Sequence, residues 1–143
     1  MKLYLSIAAL TAAALVSSVA LAQEAVPLTE DLFTHSWVIV NHEGQTSTEG
    51  STAATLNVFD LQAGDVGGDT DCGYSWNAKI NIDLPAVKFT DVDAFYTDEC
   101  PAYRNTISLI AALERVTHAQ TSPEGLELID IDGQRLLLLN AGG

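Results

Sequence analysis

The 143-residue chain sets 6 Lys and Arg against 19 Asp and Glu, a formal net charge of −13. That balance excludes a nucleic-acid binder, which needs clustered cations to neutralise phosphates; here the basic residues after Lys2 stand singly and far apart. The length holds one domain, and no reaction can be read from it.

Residues 1–22 read as an export signal. Lys2 supplies the positive start, Leu3 to Val16 form an apolar run broken only by Ser6 and Thr11, and Ala20-Leu21-Ala22 is a small-x-small cleavage site before Gln23. The run is short and rich in Ala for a bilayer span of about 20 residues, so no membrane span is expected once it is removed. No Cys lies near the cut to carry a lipid. Cleavage would remove Lys2 and no acid, taking the net charge to −14 and leaving a chain that repels anionic surfaces. The expected compartment is the periplasm or the exterior.

Residues 23–34, polar and containing Pro27, read as a flexible arm, and residues 35–143 as the domain. Ser36 to Val40, aromatic and β-branched, predicts a first strand. His42 to Thr52 is rich in Gly, Ser, Thr and Glu and reads as a loop. Ala54 to Phe59 predicts a half-buried strand with Leu56 and Val58 on one face, and Asp60 to Thr70 reads as turns. Lys79 to Leu84 alternates strictly; Pro85 ends it before Val87 to Val92, which together make a hairpin.

Then the period changes. From Pro101 to Val116 apolar residues fall at Tyr103, Ile107, Ile110, Leu113 and Val116, the spacing of one helical face. Pro101 suits the first helical position, and Asp98 and Glu99 suit the positive end of the helix dipole. Ser122 to Gly125 is a turn. Leu126 to Ile129 and Leu136 to Leu139 form a closing hairpin with Asp132-Gly133 at its pivot. Export would place Cys72 and Cys100 in an oxidising compartment, so a disulfide is the default; the chain-entropy account gives such a loop roughly 3–4 kcal/mol. A zinc or reactive-thiol reading lacks the short paired spacings those sites use.

These residues carry a resemblance. Trp37 lies in a first strand; Gly67-Gly68 runs into Cys72 with Tyr74 two residues on; Thr97-x-x-Cys100 precedes the single helix; Leu126-x-Leu128 and Asp132-Gly133 follow. Over Leu28 to Asn140 this order resembles the META domain family, that of the bacterial heat-shock protein HslJ. The first Cys segment departs from the family's usual Gly-Cys-Asn, reading Asp71-Cys72-Gly73 with Asn77 displaced. The resemblance implies an α+β fold, a small antiparallel sheet or partial barrel wrapped around one helix. It also implies an envelope or secreted role associated with stress, without an established reaction or a cofactor.

The search for chemistry yields candidates only. His35, His42 and His118 lack the i, i+4 spacing of a helical metal site, and no Gly-x-Ser-x-Gly elbow is present. Asp65, Asp69 and Asp71 form a calcium candidate, although the twelfth position from Asp65 is Trp76 where an EF-hand needs Glu. Tyr74, Trp76, Phe95 and Tyr96 flank the proposed disulfide and make a candidate binding patch, with core packing as the alternative.

The leading expectation is a monomeric, non-catalytic stress or envelope-maintenance protein that binds or scaffolds a protein or small-molecule partner in the envelope. The alternative is an acidic periplasmic inhibitor of a cationic enzyme such as a lysozyme. A hydrolase with an unrecognised Ser-His-Asp triad is the third.

Overall fold

The computed structural model describes residues 25–42 and 53–141. The expected export signal over residues 1–22 lies outside them, as does the predicted loop beyond His42 through Thr52. Eight strands run in chain order: β1 (Trp37–His42), β2 (Ala54–Asp60), β3 (Asp65–Asp69), β4 (Ser75–Asp83), β5 (Ala86–Ala94), β6 (His118–Ser122), β7 (Gly125–Ile129) and β8 (Arg135–Ala141). One helix, α1 (Tyr103–Arg115), lies between β5 and β6. Each strand pairs antiparallel with the next, and β8 returns to β1 through Ile39 opposite Leu139, closing the barrel.

Alternation explains the central hairpin. Along β4, Trp76, Ala78 and Ile80 are buried while Ser75, Asn77, Lys79 and Asn81 are exposed; β5 answers with Val87 and Phe89. Trp37, Ile39, Leu56, Val66, Leu128 and Leu139 join the same core, as expected for an eight-stranded ring whose interior side chains fill. In β8 all four of Leu136 to Leu139 are buried. Leu137 and Leu139 pair with Leu128 and Leu126, while Leu138 pairs with Glu127 on the opposite face.

The β5–β6 seam is narrow. Its ladder pairs only Ala86 with His118, supported by Val87 N–H donating to Thr117 O (3.0 Å) and Ala119 N–H to Pro85 O (2.9 Å). The helix packs against β5 and reaches β8 and β1, on other sides of the ring. Leu109, Ala112 and Leu113 thereby enter the barrel core.

Four sequence expectations are corrected. Of the expected stripe Leu113 and Val116 are buried, but Tyr103 and Ile110 are only half-buried and Ile107 is exposed; the rest of the buried helix face is Asn105, Thr106, Leu109 and Ala112. Periodicity finds a helix but cannot rank two competing stripes when the inner one begins with polar residues. Pro101 precedes the helix, because Tyr103 N–H donates to Cys100 O and Asn105 N–H to Ala102 O, turns that delay helical winding until Tyr103. The predicted arm is packed at its end: Glu30–Thr34 is a 3-10 turn whose Phe33 is fully buried, and Leu32 O accepts the Trp37 indole N–H at 2.9 Å. Finally, Asp60 to Thr70, expected as turns, contains the strand β3, and β6 forms in a polar run for which the sequence predicts no element, since neither Gly-Gly nor that run carries a strand signal of its own.

Candidate functional site

The β3–β4 turn and the segment after β5 meet at the same end of the barrel, where Cys72 and Cys100 are bonded with Cα atoms 6.0 Å apart. The turn is held by its first residue. The fully buried Thr70 hydroxyl accepts the N–H groups of Cys72 and Tyr74 (both 3.2 Å), its own N–H donates to Tyr74 O (2.6 Å), and its carbonyl accepts from Gly73 N–H (2.9 Å). Gly73 completes the reversal at φ +78°, a conformation glycine adopts without steric cost. Opposite, Cys100 N–H donates to Thr97 O (3.2 Å), so the Thr97-x-x-Cys100 spacing is one turn of backbone. The Thr106 hydroxyl on the helix lies 4.0 Å from Cys72 Sγ.

Three of the four predicted aromatics surface here. Tyr74 and Phe95 meet edge to face, with centroids 4.9 Å apart at 87°, the geometry favoured by ring quadrupoles. Phe95 is 59% exposed, and Tyr96 is also exposed. Phe95 is fixed through its N–H, which donates to Ser75 O at 3.3 Å. Trp76 is removed from the patch. It is buried in the core, and its indole N–H donates to Thr55 O at 2.9 Å on β2, two strands away. Alternation along β4 sends it inward while Ser75 and Asn77 face out.

The calcium candidate is not assembled. The Asp65 carboxylate pairs with the Lys79 ammonium across β3–β4, holding the Lys79 pKa above its ordinary value. Asp69 lies exposed at the far end of β3, and Asp71 is buried within the following turn. Among the described residues no group of three His, Cys, Asp or Glu could hold a metal ion. The described histidines serve local contacts: His118 Nδ1 lies 2.8 Å from the Thr117 hydroxyl, and the His35 ring meets Trp37 edge-on at 6.4 Å.

Two carboxylates on the β6–β8 side escaped the sequence reading. Asp130 accepts the N–H groups of Asp132 and Gln134 (2.9 Å each) and a guanidinium N–H from Arg115 at 3.3 Å. The Gln134 N–H, then that of Asp132 and the Arg115 charge, hold its carboxyl below the usual range against the effect of burial. Burial pushes Glu127 up, but hydrogen bonds from Gln120 (2.7 Å), Arg135 (3.2 Å) and Ser122 outweigh it and hold it low. The Asp130-x-Asp132-Gly133 spacing signals the turn, while nothing in the sequence brings Arg115 to it.

No protein-family model matches the chain, and no curated protein matches it in sequence. Among solved structures, one described as the NMR structure of the protein from Burkholderia xenovorans is similar at a TM-score of 0.60, with 12% identity over 99% of each chain. At that identity the likeness concerns the fold. No helix among the described residues is long and apolar enough to cross a membrane.

Proposed function

We propose that this chain is an exported, non-catalytic META-type domain, HslJ-like, that maintains the envelope under stress by binding a partner through the aromatic surface beside its disulfide. The observation that carries the reading is the Cys72–Cys100 bridge. It joins the two Cys-centred segments on which the family resemblance rests, and such bridges persist in oxidising compartments. Tyr74, Phe95 and Tyr96 supply exposed ring area next to it, and aromatic residues are enriched where interfaces take their energy.

The test is complementation. A strain lacking the gene is challenged with heat and with drugs that act on the envelope, then supplied with the intact chain or with Phe95→Ser/Tyr96→Ser. The proposal expects rescue by the intact chain alone, at equal protein levels. Rescue by both chains would contradict a role for the surface; rescue by neither would contradict the stress role.

One observation favours a second reading, the inhibitor of a cationic enzyme. Asp69, Asp93, Asp98 and Glu99 are exposed on the segments that carry the aromatic patch. Such a fringe attracts a basic partner at long range, an attraction that fades with salt. Inhibition of a basic hydrolase such as lysozyme at low ionic strength, relieved by salt, is its expected signature. Unchanged hydrolase activity at low salt would dispose of it.

A further inference from the structure

Away from the disulfide, the outer face of β2–β5 holds a groove of about 400 Å³ whose walls include Phe59, Asp65, Asn77, Lys79 and Asp91, a volume typical of small-molecule sites. Two features shape it. Phe59 is 67% exposed, and its ring lies over Gly67, where an added Cβ would come within 3.0 Å of Phe59 Cε2. The same Cβ would meet Trp76 O at 2.5 Å, so the glycine serves the close approach of β4 as well as the ring that settles on it. On the other wall the β4–β5 register slips between Asn77 and Lys79, and Asp91, in the inserted stretch of β5, takes φ +54°. A non-glycine residue in the left-handed region costs energy that the rest of the fold must offset, and bulges of this kind re-aim side chains.

The resulting electrostatics are lopsided. Lys79 is committed to Asp65, while Asp91 and Asp60 also bear on the same ammonium, so three carboxylates share one cation beside an open aromatic face. Carboxylate together with a ring face is the combination that recognises organic cations.

We propose that this groove is a binding site for a small aliphatic ammonium ion, with the Asp91 carboxylate as counter-ion, the Phe59 ring as the surface for its alkyl stem and charge, and Asn77 at the rim. The site is separate from the aromatic surface by the disulfide, so the two readings stand or fall independently.

The test is an NMR titration of the purified chain with butylammonium chloride, with neutral butanol and glucose as comparison probes. Butylammonium is expected to shift the amides of Phe59, Asn77, Lys79 and Asp91 along one saturable curve. Exchange of Asp91→Asn is the informative variant, because Asn also tolerates positive φ and leaves the bulge intact. It is expected to weaken binding about fivefold, in the range of an exposed charge pair, and Phe59→Leu by a similar factor. Tyr74→Ser is expected to leave the curve unchanged. Equal binding of butanol or glucose would overturn the cation assignment. Unsaturable shifts scattered over surface carboxylates, or an unaltered curve in Asp91→Asn, would overturn the site itself.

Discussion

At Gly68 the barrel leaves no room for a side chain: an added Cβ would stand 2.0 Å from Thr55 O and 2.9 Å from its hydroxyl. Gly68 pairs with Trp76, whose indole reaches over β3 to that same carbonyl, and the Thr55 hydroxyl in turn accepts Asp69 N–H at 2.9 Å. Replacing Gly68 by Ala therefore displaces backbone in a packed wall. A loss of about 1–3 kcal/mol is expected, read by denaturant unfolding. Gly73 is glycine for a different reason, since its φ is +78° but nothing lies within 4 Å of an added Cβ. Gly73→Asn is therefore expected to change stability by no more than about 0.5 kcal/mol; equal losses at both positions would contradict the distinction. The sequence marks both as glycines in turn-rich stretches and cannot tell them apart, because the atoms that exclude a side chain at Gly68 come from β2, 13 residues earlier in the chain at Thr55. For the same reason four aromatics near the cysteines read alike, although one of them, Trp76, is a core residue.

Elements were legible where their own residues repeat. The β4–β5 hairpin announces itself by alternation, and the β7–β8 hairpin by leucines around an Asp-Gly pair. The helix announces itself by its period, but its inward face follows the pull of β5, β8 and the disulfide. Thr106 faces Cys72, and rotating Ile107 inward would turn that contact out. β3 and β6 are strands because neighbours supply ladders on both flanks at β3 and a full β7 partner at β6. The β7–β8 turn shows what such elements depend on. Asp130 holds its own turn and the helix-end Arg115 most strongly as a carboxylate, and Glu127 likewise accepts from Gln120 and Arg135. Both folded-state pKa values lie below the ordinary 3.8 and 4.5. Their stabilisation is thus complete above pH 4.5 and is lost as the pH falls through the depressed values, when the unfolded chain already binds the protons. Thermal unfolding between pH 7 and 3 is expected to show a steep loss confined to the acid limb, shallower in Asp130→Asn. An identical acid limb in the variant would contradict the assignment.

At the scale of the molecule, the barrel closes through eight consecutive antiparallel strands, and its narrowest ladder, β5 to β6, is where α1 is inserted. The disulfide crosses from the β3–β4 turn to the approach of that helix, so it anchors the inserted element to the neighbouring turn at the same end of the barrel. Its effect on the unfolded chain is worth roughly 3–4 kcal/mol, and reduction is expected to lower stability by that amount, as read by denaturant unfolding with and without reductant. Element order and the disulfide were the most legible features at this scale, since a helix between two hairpin-rich stretches and two cysteines ahead of it already outline the plan. The partner was not legible, because charge and exposed rings specify chemistry without specifying a molecule. The central claim, an exported domain stapled by Cys72–Cys100, is tested most directly on protein recovered from the cell envelope, alkylated with and without reductant and weighed by mass spectrometry. The account predicts a chain beginning at Gln23 with both thiols blocked until reduction. A chain retaining residues 1–22, or one whose cysteines alkylate freely without reductant, would contradict it.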